Sequence, residues 1–449
     1  MPTETPATDR VLAALRQAGG VATSPELQAQ LGLSQPTISR ALAPLLATGR
    51  VMKTGAARAQ RYLLPRVVHG VTQEGLGAVR VVEIDSHGNA QPFGNLVPLA
   101  GGQYWMEEHH GHSALHPSLP WFLHDMRPQG FLGRGFVNAH PELGLPPHIT
   151  HWNDDHVLRA LANAGDDLPG NLVVGEKAFA RYHSRAERTP LVSNAEADYP
   201  RLAAQALQSV LPGSSAGGEQ PKFCATRNGH PVLVKFSPAG DGPADQRWRD
   251  LLVCECLALQ TLAQAGVPAA HTELVQAGGR VFLESRRFDR TPQGGRVGMV
   301  SLEVYDAHYI GLGADWVATA QRVDMAGNDR LTPADVRTLC LLDAYGALIA
   351  NTDRHHGNIS LLLVDGSWQL APAYDMLPML YAPVGTELVE RPFANRPSHT
   401  LHPSVHTLAV WPQALALARQ FWQAAAEDPR ISPAFRATAL ANLHTVQAL

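Results

Sequence analysis

An aspartate, an asparagine five residues further on and a second aspartate seventeen residues after that are spaced as phosphoryl transfer from a metal nucleotide requires. Asn351-Thr352-Asp353-Arg354-His355-His356-Gly357-Asn358 carries the first two and Tyr374-Asp375 the third. Such chemistry asks for positioning and charge neutralisation more than for covalent participation, so a proton acceptor and two metal ligands must converge on one cleft. Asp353 is the candidate acceptor of the attacking hydroxyl's proton, and Asn358 and Asp375 are the candidate magnesium ligands. Each alone would more often cap a helix or satisfy a turn; together they favour a site. His355 and His356 carry no assignment, and Arg354 is read as pairing with an acidic neighbour or steadying Asp353.

Apolar runs flank this loop and must hold it. Residues 341–349 read as a buried helix and 359–364 as a strand; Asp365-Gly366 is a hairpin signal, and 368–371 is the return strand leading to Asp375. Upstream, 231–236 alternates as a strand and would present Lys235 off one face, as a phosphate clamp requires. A solvated edge-strand lysine is the plain alternative. Glu255, between Cys254 and Cys256 in the apolar helix 251–265, sits where an acid would pair that lysine, because an unpaired buried charge is costly.

Five blocks now stand in order: Ser215-Ala216-Gly217-Gly218-Glu219-Gln220-Pro221-Lys222, Val232-Leu233-Val234-Lys235, Arg286-Arg287-Phe288-Asp289-Arg290, the Asp353 loop and Ala371-Pro372-Ala373-Tyr374-Asp375. Over residues 70–445 they resemble the HipA-like serine/threonine kinases, toxin components of bacterial toxin–antitoxin modules. The resemblance implies an α+β, two-lobed protein-kinase-like fold, with a sheet-rich amino-terminal lobe and an all-helical carboxy-terminal one. It implies ATP and Mg2+ as cofactors and a protein substrate, aminoacyl-tRNA synthetases being the substrates of the best-known members.

Carried over by position, the resemblance makes Asp353 the catalytic base, Asn358 and Asp375 the magnesium ligands and Lys235 a contact to the nucleotide phosphates. The nucleotide-binding set it implies is Ser215, Gly217, Gly218, Lys222, Lys235, Glu255, Glu284 and Arg286, with the adenine hinge at 283–287 using backbone groups. The glycine segment is neither a Walker loop nor the Gly-x-Gly-x-x-Gly of ordinary protein kinases, a departure that fits this group. Gly217 and Gly218 permit close backbone approach to phosphates, and Lys222 adds charge. The resemblance also makes Ser215 an autophosphorylation site whose modification ejects the loop and silences the enzyme. Ser214 is adjacent, so the assignment is open by one residue, and an ordinary glycine turn is the alternative for the whole segment.

Composition agrees with such an enzyme. At 449 residues and 45% hydrophobic content the chain can bury a large core and divide into several domains. No run of eighteen apolar residues exists, and the amino terminus lacks a signal-peptide stretch, so no membrane partner and a cytoplasmic location are expected. The cysteines 224, 254, 256 and 340 are sparse, lie in apolar surroundings and read as reduced core residues.

Charge is uneven. Residues 1–66 hold 8 Lys and Arg against 3 Asp and Glu, leaving 28 against 37 elsewhere, and a basic end suggests nucleic acid. Helix 9–17, a Gly19-Gly20 break and helix 25–31, begun by the capping box Thr23-Ser24-Pro25-Glu26, precede a third helix from Ser34 with an apolar stripe of Ile38, Leu42, Leu45 and Leu46. Residues 50–53, a turn at 54–57 and 58–64 then look like the wing of winged-helix transcription factors. In that reading Gln35, Thr37, Ser39 and Arg40 enter the major groove of duplex DNA and Lys53, Arg58 and Arg61 meet phosphates, while Pro44 kinks the recognition helix near its end. A winged helix used for protein contact is the alternative.

The expected division is a winged helix-turn-helix domain at 1–66, an amino-terminal kinase lobe with the glycine loop at 67–286, and a helical carboxy-terminal lobe at 287–449. Residues 67–200 are rich in Gly, Pro and His, and the histidine-rich segment 107–112 lacks a helical His-Glu-x-x-His spacing and reads as a polar loop rather than a metal site. The chain is therefore expected to be an ATP-dependent protein serine/threonine kinase with its own DNA-binding module. It would combine toxin-kinase and operator-binding roles that the family usually divides between two chains. Winged-helix binders often act as homodimers on two half-sites, which leaves oligomeric state open. The rival readings are a transcription regulator that senses a nucleotide and a lipid or small-molecule kinase.

Overall fold

The computed structural model describes residues 6–56, 59–73, 77–184, 189–209, 220–391, 393 and 401–449. At the amino terminus α1 (Ala7–Gln17), α2 (Ser24–Leu31) and α3 (Gln35–Ala47) pack with β1 (Val21–Ala22), β2 (Met52–Thr54) and β3 (Arg61–Leu63), which pair antiparallel in the order β1-β3-β2. The capping box forms: the Glu26 carboxylate accepts from the Thr23 backbone N–H at 2.7 Å while Thr23 Oγ1 accepts from the Glu26 N–H. Val11, Leu15, Leu27, Ile38 and Leu42 are buried between the helices. α3 continues past Pro44 to Ala47, so the proline does not end it.

A second sheet follows, built from the meander β4 (Val79–Ile84), β5 (Ala90–Pro98), β6 (Tyr104–Glu108) and β7 (Ser113–His116), with β8 (Leu172–Val174) added beside β4. The histidine-rich segment is the tip of the β6–β7 hairpin, where the Glu108 N–H donates to His112 O at 2.8 Å. Helices α4 (Gly130–Ala139), α5 (Asp154–Ala164) and α6 (Glu176–His183) accompany this sheet, and α5 buries Val157, Leu158 and Leu161. The β1–β3 sheet docks here: Leu63 joins Val97, Leu99 and Trp105 in one cluster, Leu64 N donates to Gly20 O at 2.7 Å and Ala100 N donates to Leu64 O at 3.0 Å. Gly20 has φ +93, and a Cβ there would lie 2.9 Å from Leu99 Cβ, so the joint requires glycine.

The third sheet carries Lys235. It comprises β9 (Leu191–Val192), β10 (Lys222–Arg227), β11 (His230–Phe236), β12 (Thr272–Ala277) and β13 (Arg280–Arg286) in the order β12-β13-β11-β10-β9. Its alternation sorts side chains between two helices. Val232, Val234 and Phe236 face α7 (Ala195–Gln208) in a cluster with Tyr199 and Phe282, whereas Lys235 faces α8 (Pro243–Gln264). α8 starts two turns before the expected 251, led by Pro243 and the Asp245 cap on the Gly242 N–H.

The remainder centres on α9 (Pro333–Leu348), α10 (Trp411–Glu427) and α11 (Pro433–Gln447), which share the largest core with α8. An all-helical carboxy-terminal part is not what forms. β14 (Gly298–Ser301), β15 (Ser360–Val364) and β16 (Ser367–Leu370) make a three-stranded antiparallel sheet. The physical reason is the Asp365-Gly366 turn: both residues take positive φ, +49 and +75, which closes a two-residue hairpin, and β14 covers the other edge of β15. Among the described residues no helix is long and apolar enough to cross a membrane.

Candidate active site

Alternation in β11 aims Lys235 at α8, where its Nζ donates to Glu255 Oε1 at 2.6 Å and Oε2 at 2.9 Å and also contacts the Asp375 carboxylate. Burial pushes the Lys235 ammonium below the usual lysine range, and the Glu255 carboxylate opposes that shift. Lys222, directly across the antiparallel register on β10, points another cation to the same side. Lys222, Lys235, Glu255, Asp353, Asn358 and Asp375 line one cavity of about 1150 Å³.

The loop bearing Asp353 leaves α9 through Ala350, and the loop bearing the second acid turns at Asp375; both residues hold positive φ, +60 and +53. Backbone strain of this kind persists only where surroundings over-determine it. Asn351, 1% exposed, supplies that constraint: its Oδ1 accepts from Asp353 N at 2.9 Å and its Nδ2 donates to Asp375 O at 3.3 Å, tying the two loops together. Asn358 Nδ2 donates to Asp353 O at 2.8 Å. Arg354 donates to Asp343 Oδ1 at 3.0 Å and to Asn351 O, so it braces the loop from behind, as the sequence suggests. Tyr374 donates to Gly357 O at 3.0 Å, a further tie between the loops.

Not every expected site residue is among those that line the cavity. Ser215, Gly217 and Gly218, with the neighbouring Ser214, lie outside the described residues, as does Arg58. Glu284 and Arg286 do not line the cavity. Glu284 is one residue out of phase with Leu283 on β13, so its carboxylate turns to the α7 side, where it accepts from Arg227 at 2.7 Å and from Tyr199. Arg286 ends β13 with its N–H donated to His271 O at 3.0 Å. The Arg-rich block makes an ion-pair lattice instead: Arg287 and Arg290 hold Asp289 at 2.9 and 2.8 Å and reach Asp167 at 3.1 and 2.9 Å. Asp289 also accepts from Gly170 N at 3.1 Å, which fastens the 166–171 turn to the third sheet.

At the amino terminus Gln35, Ser39 and Arg40 are exposed on α3, Thr37 is half-buried, and Lys53 is exposed on β2. Arg61 is drawn over the Trp105 ring at 5.7 Å, toward the second sheet. Sequence reasoning left four residues of the cleft region without a role: Asn351 as the link between loops, His355 at the cavity wall with Nε2 3.8 Å from Asp353 Oδ1, and Phe131 and Leu132 of α4. A polar residue ending the apolar run 341–349 was the available signal for Asn351. Nothing local marks α4, because only the docking of the second sheet brings it there.

Asp375 and Asn358 offer hard oxygen donors, which suit magnesium. Asn358 spends its Nδ2 on Asp353 O and so keeps its amide oxygen for a cation, while Asp375 rests against the positive Lys235. These residues fit a divalent metal carrying a phosphate chain.

Residues 76–183 match the YjjJ-like toxin middle domain and residues 214–438 match the HipA-like C-terminal domain. Toxin YjjJ of Escherichia coli (strain K12) is 36% identical over 425 residues, covering 93% of each chain. A chain of the Shewanella oneidensis MR-1 toxin–antitoxin complex of HipA, HipB and its operator DNA is similar in fold, with a TM-score of 0.54 at 15% identity, over 82% of this chain and 96% of that one.

Proposed function

The chain belongs to the HipA-like toxin family, and from that premise we propose that it is an ATP-dependent protein serine/threonine kinase that carries its own DNA-binding module. One observation carries the reading: Lys235, Glu255, Asp353, Asn358 and Asp375, drawn from a strand, a helix and two loops, border a single cleft. Structural ion pairs alone would account for Lys235 and Glu255 but not for an asparagine and a half-exposed aspartate beside them.

In this reading Lys235 orients the nucleotide phosphates and Glu255 keeps it extended toward them. Magnesium, held by Asn358 and Asp375, would supply neutralisation of the phosphate charge. Asp353 accepts the proton of the substrate hydroxyl as its oxygen attacks the terminal phosphorus and the bond from that phosphorus to the bridging oxygen breaks, ADP leaving; the bond from Asn358 to Asp353 O keeps base and metal ligand in register. The glycine segment 215–222 would cover the phosphates, with Ser215, or the adjacent Ser214, as its autophosphorylation site. The chain would then divide at 1–66, 67–286 and 287–449, acting in the cytoplasm on a protein substrate, an aminoacyl-tRNA synthetase by family resemblance.

For the amino-terminal helices, α3 is proposed as the recognition helix of a winged helix that reads operator DNA as a homodimer. The exposure of Gln35, Ser39, Arg40 and Lys53 supports this, as does the presence of operator DNA in the complex of the similar Shewanella chain. Incubation of the protein with labelled ATP and a cell lysate tests the kinase reading. Label is expected in protein bands, lost in Asp353→Ala while duplex-DNA binding is kept. Label in lipid or small molecules would identify a different kinase, and none at all a nucleotide-sensing regulator.

A further inference from the structure

We propose that Asp306 is a positioning residue for the Asp353 loop, acting through Thr319 and His356; the inference rests on the kinase reading above. Asp306 is 3% exposed, a buried carboxylate with no part in the chemistry just described. Its Oδ2 accepts from Gly313 N at 2.7 Å and its Oδ1 from Thr319 Oγ1 at 3.0 Å. Thr319 is fully buried, and a hydroxyl has one proton to give. With that proton committed to Asp306, the Thr319 oxygen can only accept from His356 Nε2, 2.8 Å away. The relay therefore sets His356 as the Nε2–H tautomer and fixes the plane of its ring.

His356 opens the single turn His356–Asn358, so holding its ring holds the turn that delivers Asn358. The same segment grips the loop at two more points: Trp316 Nε1 donates to His355 O at 2.9 Å and Leu302 N donates to Ile359 O at 2.8 Å. Asp306 itself begins a π-helical turn, Asp306–Ile310, closed by Gly311 at φ +75. That turn folds the chain back so that Gly313 N reaches the carboxylate, and π-turns recur where a functional side chain is placed. A carboxylate that served only to cap its own segment would need Gly313 and Thr319 but no bond onward to the catalytic loop.

Thr319→Val removes the hydroxyl while keeping the side-chain shape, and Thr319→Ser restores it. Thr319→Val is expected to lower kcat by about tenfold to a hundredfold with the KM for ATP within about twofold of wild type, as for a misplaced rather than missing group. Thr319→Ser is expected to recover most of kcat. Independently of activity, nitrogen-15 NMR of histidine-labelled protein, with His356 assigned by its loss in His356→Gln, should show Nε2–H in wild type and a mixture of tautomers in Thr319→Val. A wild-type His356 protonated on Nδ1 alone, a Thr319→Val protein with unchanged kcat, or a serine variant as impaired as the valine one would each overturn the relay. Absence of phosphotransfer in every variant, wild type included, would sink the kinase reading and leave the tautomer measurement to decide the relay.

Discussion

Lys235 and Glu255 come from a strand and a helix, yet Lys235 Nζ meets both Glu255 carboxylate oxygens, at 2.6 and 2.9 Å, with the two side chains nearly sealed from solvent. Removing the acid would leave the partly buried Asp375 as the carboxylate beside a buried ammonium. Glu255→Ala is therefore expected to lower unfolding free energy by less than the roughly 3–5 kcal/mol of a fully uncompensated buried charge, read from urea midpoints, and to abolish phosphotransfer. Glu255→Gln should cost less in stability but still impair transfer, because a neutral amide orients the lysine without balancing its charge.

Asn351 is expected to be as sensitive as the charged groups. Asn351→Ala removes the bonds to Asp353 N and Asp375 O together and leaves two backbone groups without them. Because both groups are only part-buried, a loss at the lower end of the about 1–3 kcal/mol of an orphaned buried group is expected, with a fall in kcat; thermal unfolding and steady-state kinetics measure the two effects. Preserved kcat in a folded Asn351→Ala protein would show that the loops need no common anchor.

Asp353→Asn keeps size and hydrogen-bonding shape but cannot take a proton. A drop in kcat of about 10²–10⁴-fold is expected, with ATP affinity by calorimetry close to wild type.

The Arg287, Arg290 and Asp289 lattice makes an acid prediction. Burial alone would raise the Asp289 pKa, but Arg287 and Arg290 overrule it and hold the carboxyl well below the usual carboxylate range. Its folded pKa is thus depressed relative to the unfolded chain, so its stabilisation is complete above about pH 4. It fades as pH falls further toward the depressed folded value. Asp289→Asn should lose that stability at neutral pH and flatten the acid limb of the stability profile, measured by denaturant titration between about pH 2 and 7.

Duplex binding should separate α3 from the wing. Arg40→Ala, on the exposed face of α3, is expected to weaken binding and to relax sequence preference, as the loss of a major-groove contact does. Arg61→Ala should act mainly on stability, because its guanidinium packs over Trp105; unequal effects on DNA affinity, measured by fluorescence anisotropy across a salt series, are the expected result.

Much of the scaffold was legible locally. The Thr23 and Glu26 cap, the Asp365-Gly366 turn and the alternation around Lys235 are short-range signals written in neighbouring residues, and each appears in the fold. So does the convergence of Lys235, Asp353, Asn358 and Asp375, whose chemistry constrains residue type and spacing. Tertiary pairing decided the rest. Glu284 is turned from the cleft by strand register, since one residue of phase exchanges the faces of a sheet. β14 acquires its role only by pairing with β15 some sixty residues later, and Asn351 and Asp306 matter only because packing delivers a distant backbone or hydroxyl to them. Periodicity and capping are properties of consecutive residues. Which buried polar group meets which partner is a property of how the elements close on one another, and no stretch of the chain carries that information alone.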